Sequence, residues 1–390
     1  MLPRLIEHAT KKGLHMRKTF RLGLLGVAGA AALSFASIAL GAYSPTLTVS
    51  RQLDVGSGAV GTDVTVAQTQ ADDPSARIVI YAPIGFSATL NQAVGAQLGT
   101  VTGQVFAADL ASLVPVEGPI TVADKTNAQL MASAKTCTGV ETHDAIWILT
   151  VSAAGSTLPV PAYVDVVNLP FASAQITFCL AHPSTVTFKI SLLNATLHLT
   201  NVFAPPAAGG SFRWTMVATP WDPATPALNA AGTIEAQAID RTPVSASLSV
   251  KRLTKTKRVK HKGHRDIRYS YSARLTGQAR AGGAVAEGVS VDIFAGTKKV
   301  ATATTNSNGS FSLTLKLAKT TAYHAVFSRA AGPVAGATCQ PPLPFPGTSV
   351  LIPCGTITEA GFSAASQTVT LKKPKLTVKH LKPKKKKKKH

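Results

Sequence analysis

From Ser310 to Leu317 polar and apolar residues alternate without a break. Phe311, Leu313, Leu315 and Leu317 share one side, and Ser310, Ser312, Thr314 and Lys316 share the other. A period of two sends successive side chains to opposite faces, as a half-buried strand does and a helix does not. The pattern recurs through Val289–Phe327, in Val289-Ser-Val-Asp-Ile-Phe294, Val300-Ala-Thr-Ala-Thr-Thr305 and Thr320-Thr-Ala-Tyr-His-Ala-Val-Phe327. Asn308-Gly309 supplies the positive φ that a tight hairpin turn needs. The stretch is predicted to be part of an antiparallel sandwich, and the rest of the chain is placed around it.

The chain has 390 residues, enough for two domains with sizeable cores. Its net charge of +22 is unevenly spread. Residues 43–250 hold 7 Lys/Arg and 13 Asp/Glu, whereas residues 251–390 hold 27 and 4. Such asymmetry points to a polyanion partner for one part of the molecule.

The first segment reads as a targeting signal. Arg17, Lys18 and Arg21 precede an uncharged run, Leu22–Ala42, and Ala39-Leu40-Gly41 offers the small residues of a cleavage site. An uncleaved anchor is the competing reading, since the run is long enough to span a bilayer. Met16 is an alternative start.

Residues 42–243 are predicted to form a β-rich domain. Strand-like runs are Leu47–Leu53, Val64–Thr69, Arg77–Ala82, Ala145–Val151, Ile176–Leu180, Thr185–Leu193, Thr196–Phe203 and Phe212–Thr219. Phe212, Trp214, Met216 and Ala218 alternate with Arg213, Thr215 and Val217, which predicts a sheet with one wetter face. A short helix is an option around Leu90–Leu98. Trp147 and Trp214 are expected in the core, and Trp221 on an exposed loop.

Pro243 opens the second domain, 244–372. Val244–Lys251 alternates as a strand, a basic loop is expected over Lys251–Arg268, and Ile267–Thr276 alternates again. A Pro-rich excursion leaves at Ser328 and returns near Phe362. About seven strands fit an immunoglobulin-like sandwich. Arg274-Leu-Thr-Gly277, Val289-Ser-Val-Asp-Ile293, Val300-Ala-Thr-Ala-Thr-Thr305, Asn308-Gly-Ser-Phe311 and Thr320-Thr-Ala-Tyr323 follow one another in order. In this the segment 244–372 resembles the bacterial Ig-like domains of secreted actinobacterial proteins. The resemblance implies a β-sandwich used as a spacer or adhesive module, without catalysis. The first half is only loosely similar to uncharacterised secreted proteins, through Gly210–Pro220. Residues 373–390 are Lys-rich, lack acids, and are predicted to be disordered.

The expected fold is therefore all-β: two β-sandwich domains, the second immunoglobulin-like, with an N-terminal signal helix (1–41) and a disordered Lys-rich C-terminal tail. Each domain holds two cysteines, Cys137 and Cys179, Cys339 and Cys354. An even count in an exported chain favours disulfides, and pairing within domains is the simplest of three connectivities.

No enzyme motif stands out. Gly56-Ser-Gly-Ala-Val-Gly61 has the dinucleotide glycine spacing but leads into a strand, where a helix N-terminus would be needed. His143-Asp144 is read as a polar turn and Asp72-Asp73-Pro74 as an ordinary turn, against a triad and a calcium site respectively. No catalytic residue, metal site or cofactor is expected. The basic runs are the functional feature. The expected polyanion-binding residues are Lys251, Arg252, Lys255, Lys257, Arg258, Lys260, Lys262 and Arg265, with Lys384, Lys385, Lys386, Lys387, Lys388 and Lys389. Lysine without Arg forks or interleaved aromatics argues against sequence-specific nucleic-acid readout. The expected partners are anionic cell-wall polymers or lipid head groups, bound non-specifically by a non-enzymatic secreted or envelope protein. The alternatives are a carbohydrate-binding or adhesion module acting through first-domain loops, and a secreted hydrolase.

Overall fold

The structure, a computed structural model, describes residues 43–53, 60–153, 156–261 and 264–381. The expected signal segment, Gly56–Val60's glycines, Lys262 and Lys384–Lys389 lie outside them. The described chain is mostly strand, as the period-two patterns require.

The described residues of 43–243 build eleven strands of eight residues or more. They are β1 (Thr46–Leu53), β2 (Val60–Ala67), β3 (Ser75–Pro83), β4 (Gln97–Ala107), β5 (Ser112–Val122), β6 (Ala145–Ala153), β7 (Ser156–Val166), β8 (Ala172–Cys179), β9 (Ile190–Thr200), β10 (Gly210–Pro220) and β11 (Ile234–Thr242). They form one antiparallel ladder in the order β1-β2-β9-β4-β5-β6-β7-β8-β3-β10-β11. Alternate residues from its strands, among them Leu47, Val64, Ile80, Val101, Trp147, Ile176, Leu197 and Trp214, are buried in one core. The ladder therefore folds over on itself around a shared interior.

Residues 244–381 supply β12 (Val244–His261), β13 (His264–Ala281), β14 (Ser290–Ala295), β15 (Lys298–Thr304), β16 (Ser310–Lys316), β17 (Thr321–Arg329), β18 (Cys354–Glu359), β19 (Gly361–Ala365), β20 (Val369–Leu371) and β21 (Val378–Leu381). One sheet is β12-β13-β16. The other runs β15-β14-β17 and then β19 and β20 in succession. A second core lies between them, with Leu275, Phe311, Ile293, Tyr323 and Phe327 buried. Gly309 takes a φ of 67° at the expected hairpin turn. Gly277 sits where a Cβ would lie 2.3 Å from the Ser247 carbonyl oxygen, so a glycine is needed there.

The two halves share hydrogen bonds through 354–365. β18 pairs in parallel with β11, and β19 pairs in parallel with β1. Between them the Ala360 N–H donates to the Ile239 carbonyl at 2.8 Å. The ends of the eleven-strand ladder thus meet one segment of the other half.

Four local expectations are corrected. Lys251–Arg268 is not a loop: it lies in β12 and β13, which stay paired residue for residue to His261 and His264. Within the tail expected to be disordered, Val378–Leu381 is a strand on Arg265–Arg268, and the Tyr269 N–H donates to the Thr377 carbonyl nearby. Leu90–Leu98 forms no helix. Among the described residues the α-helix is α1 (Ala128–Thr138), capped by the Asn127 side chain at its start and by left-handed Gly139 at its end. Thr185–Leu193 is no continuous strand, because short 3-10 turns at Pro183–Thr185 and Thr187–Lys189 interrupt it before β9.

Candidate functional site

The far part of the β12–β13 hairpin carries most of the predicted polyanion residues. Lys251, Arg252, Lys255, Lys257, Arg258, Lys260 and Arg265 are all exposed. Strand alternation sorts them. Lys251, Lys255 and Lys257 share one face with Arg268 and Arg274, and the edge strand adds Lys316 opposite Ser272. Arg252, Arg258, Lys260 and Arg265 occupy the other face. Same-face neighbours along a strand are roughly 7 Å apart, so Lys251 to Lys257 spans roughly 20 Å.

Three like-charged pairs stand directly opposite each other: Lys251 with Arg274, Lys257 with Arg268, and Lys260 with Arg265. Such pairs disfavour the hairpin. Among the described residues no carboxylate forms an ion pair with any of these cations. The acid within the segment, Asp266, is buried and held by His380 Nδ1 at 2.8 Å. The positive ribbon is therefore a paired hairpin whose cations have no carboxylate partner among the described residues. Arg268, Arg274 and Lys316 were absent from the expected set, although their place on alternating strands was visible in the sequence.

Both disulfides form within their halves: Cys137–Cys179 and Cys339–Cys354. The first ties the end of α1 to the end of β8. The second closes the Pro-rich excursion, which lies over the outward face of β3, β10 and β11. That face, expected to be wetter, is covered: Thr215, Glu235 and Gln237 are buried. Glu235 accepts from the Leu343 N–H at 3.2 Å and from Gln237 Nε2 at 2.7 Å. Gln237 in turn accepts from the Gln340 N–H at 3.0 Å. Burial pushes the Glu235 carboxyl above the usual glutamate range, and these two donors pull the other way. Beside this anchor is a cleft of about 900 Å³, lined by Arg77, Tyr81, Phe171, Gln175, Leu228 and Phe345 among others.

His143 does more than turn the chain. Its Nδ1 lies 2.9 Å from Asp165 Oδ2, and its Nε2 lies 3.1 Å from Thr138 Oγ1. The Asp165 carboxylate accepts from Nδ1–H and orients the ring, with Nε2 directed at the Thr138 hydroxyl. The same hydroxyl is also within 2.9 Å of the Ala134 carbonyl and accepts from the Val140 N–H, which makes it a helix-end staple. Asp72 accepts from the N–H groups of Ser44 and Thr69, as a turn residue does. Among the described residues no group of three or more His, Cys, Asp or Glu is placed to hold a metal ion. Trp221 is half-buried, its ring 5.4 Å from that of His182.

Neither a protein-family model, nor a curated protein, nor a solved structure matches this chain.

Proposed function

We propose that this is a non-enzymatic protein of the cell envelope or its exterior that binds anionic surface polymers through the β12–β13 ribbon, with the Lys-rich C-terminus as a second contact. The observation that carries the reading is the set of opposed like charges, Lys251/Arg274 and Lys257/Arg268 on one face of the ribbon and Lys260/Arg265 on the other. An anion bridging each pair would relieve a repulsion the fold otherwise bears. A polyphosphate backbone, as in teichoic-type wall polymers, presents such charges in series. The two disulfides fit an oxidising compartment outside the cytoplasm. The division into a β12-β13-β16 sheet and a β15-β14-β17-β19 sheet supports the immunoglobulin-like reading of 244–372, in which that sandwich is a spacer bearing the ribbon.

Retention on immobilised glycerol-phosphate polymer tests the reading. The full chain is expected to be retained at low salt, and a chain lacking residues 384–390 to be retained more weakly. Equal passage of both proteins through the charged and uncharged matrices would overturn it.

A second reading is favoured by the cleft: binding of a glycan through aromatic rings. Tyr81 and Phe171 meet edge to face with centroids 5.3 Å apart, beside Arg77 and Gln175. Such binding would survive salt, whereas ribbon binding would not.

A further inference from the structure

Inside the curled eleven-strand sheet, apart from the ribbon and the cleft, is a cavity of about 270 Å³. Protein interiors hold few voids larger than a water molecule. An apolar void of ~150 Å³ stays dry and admits a small hydrocarbon. The volume here exceeds that.

Its lining is aliphatic and aromatic almost throughout. Val64, Ile78, Ile80 and Val101 form its deep end and are buried. Of the lining hydroxyls, Ser75 already engages Tyr43 at 2.7 Å and the Gln68 side chain, so it offers little to a water molecule. Ser191 is the other. A cavity of this chemistry repels water and favours hydrocarbon.

The cavity has a way in. Leu158, 53% exposed, lines it from β7, Val186 lines it from the segment before β9, and Ile190 lines it from the start of β9. Between those two, Phe188 is 38% exposed at a left-handed φ of 61°, a conformation that bulky residues rarely adopt. The next residue, Lys189, is held to Asp109 at 2.8 Å. Leu110, 48% exposed, follows Asp109 on the separate Ala108–Leu110 turn. The exposed lining is thus apolar, and the nearby Lys189 is paired with Asp109.

We infer that this cavity binds a single saturated acyl chain, methyl end inward, with its polar head left in water at the Leu158–Val186 rim. Among the described residues the cavity lining holds no charged side chain, so the affinity is expected to come from the chain and not from the head-group charge.

Calorimetric titration of the full chain with decanoate and with 1-decanol tests this. Both are expected to bind at one site, within threefold of each other in affinity and with a negative heat-capacity change. Val101→Phe fills the deep end and Leu158→Asp makes the exposed rim polar. Each is expected to weaken binding at least tenfold. Should Val101→Phe fail to fold, Leu158→Asp decides, because its position is already solvated. Absence of saturable binding of either probe, or unchanged affinity in Leu158→Asp, would overturn the inference. Neutral phosphatidylcholine vesicles separate the sources. Flotation with vesicles, competed by decanoate, identifies a bilayer lipid as donor of the chain. Decanoate binding without flotation identifies a free fatty acid.

Discussion

Arg51 Nε on β1 lies 2.8 Å from Asp240 Oδ2 on β11, and both side chains are almost wholly buried. The pair joins the first and last strands of the eleven-strand ladder. The guanidinium lies 4.9 Å from the Phe86 ring centroid, and Trp214 Nε1 donates to the same carboxylate oxygen at 3.2 Å. A buried pair need not be better than an apolar one of the same shape, but removing one partner strands the other's charge. Arg51→Met is therefore expected to cost about 3–5 kcal/mol in urea unfolding. Arg51→Met with Asp240→Leu should recover part of the loss. Equal losses in the single and double variants would show that Asp240 is not the group left stranded.

Glu235 makes the attachment of the Pro-rich excursion pH-dependent. Its carboxyl is raised by burial, so the folded chain holds that proton to a higher pH than the unfolded chain does. The contribution is complete below the usual glutamate range and is lost as pH rises through the raised value. Urea midpoints taken from about pH 4 to about pH 8, a range that brackets a raised glutamate, should fall relative to those of Glu235→Gln. Parallel midpoints in the two proteins would contradict the assignment.

The shared segment 354–365 makes the halves interdependent. Without it, β1 and β11 lose a hydrogen-bonded neighbour and become open edges. Residues 43–243 expressed alone are expected to aggregate, or to melt with a broadened transition compared with the whole chain. A sharp melt at the full-length midpoint would show that the segment adds nothing to the first core.

Loss of the Cys339–Cys354 bridge should act on the excursion it closes. Loop entropy for its 15-residue separation gives about 3 kcal/mol. In Cys339→Ser with Cys354→Ser, protease cleavage between residues 340 and 353 is expected well before cleavage elsewhere. Unchanged cleavage order would place the restraint in Glu235 and Gln237 instead.

The local patterns in the sequence carried far. Ser310–Lys316 is the strand its alternation describes, Asn308-Gly309 makes its turn, and Trp147 and Trp214 are in the core. The four cysteines pair as the simplest connectivity proposes. What escaped was long-range. Parallel pairing of β1 with β19 joins residues some three hundred positions apart and leaves no period to detect. Arg51, Glu235 and Gln237 have the composition of surface residues and are buried only because distant segments cover them. Helix α1 was missed because it buries little beyond Ala134, so no apolar stripe marks it, although Asn127 and Gly139 bracket it. On the ribbon, charge density suggested a loop, because Lys251–Asp266 is polar on both faces and the pairing that makes it a hairpin leaves no apolar alternation to detect.

The salt dependence of binding to glycerol-phosphate polymer tests the central claim most directly. Lys251, Lys255 and Lys257 are exposed on one face of the ribbon, so replacing all three with serine should leave the fold intact. Each cation in contact with phosphate contributes roughly 0.7 to the slope of log K against log salt for a flexible strand. The triple variant is expected to bind more weakly at low salt, with a slope shallower by about 2. An unchanged slope and affinity in a folded triple variant would contradict the account, because the ribbon would then not be where the polymer lies.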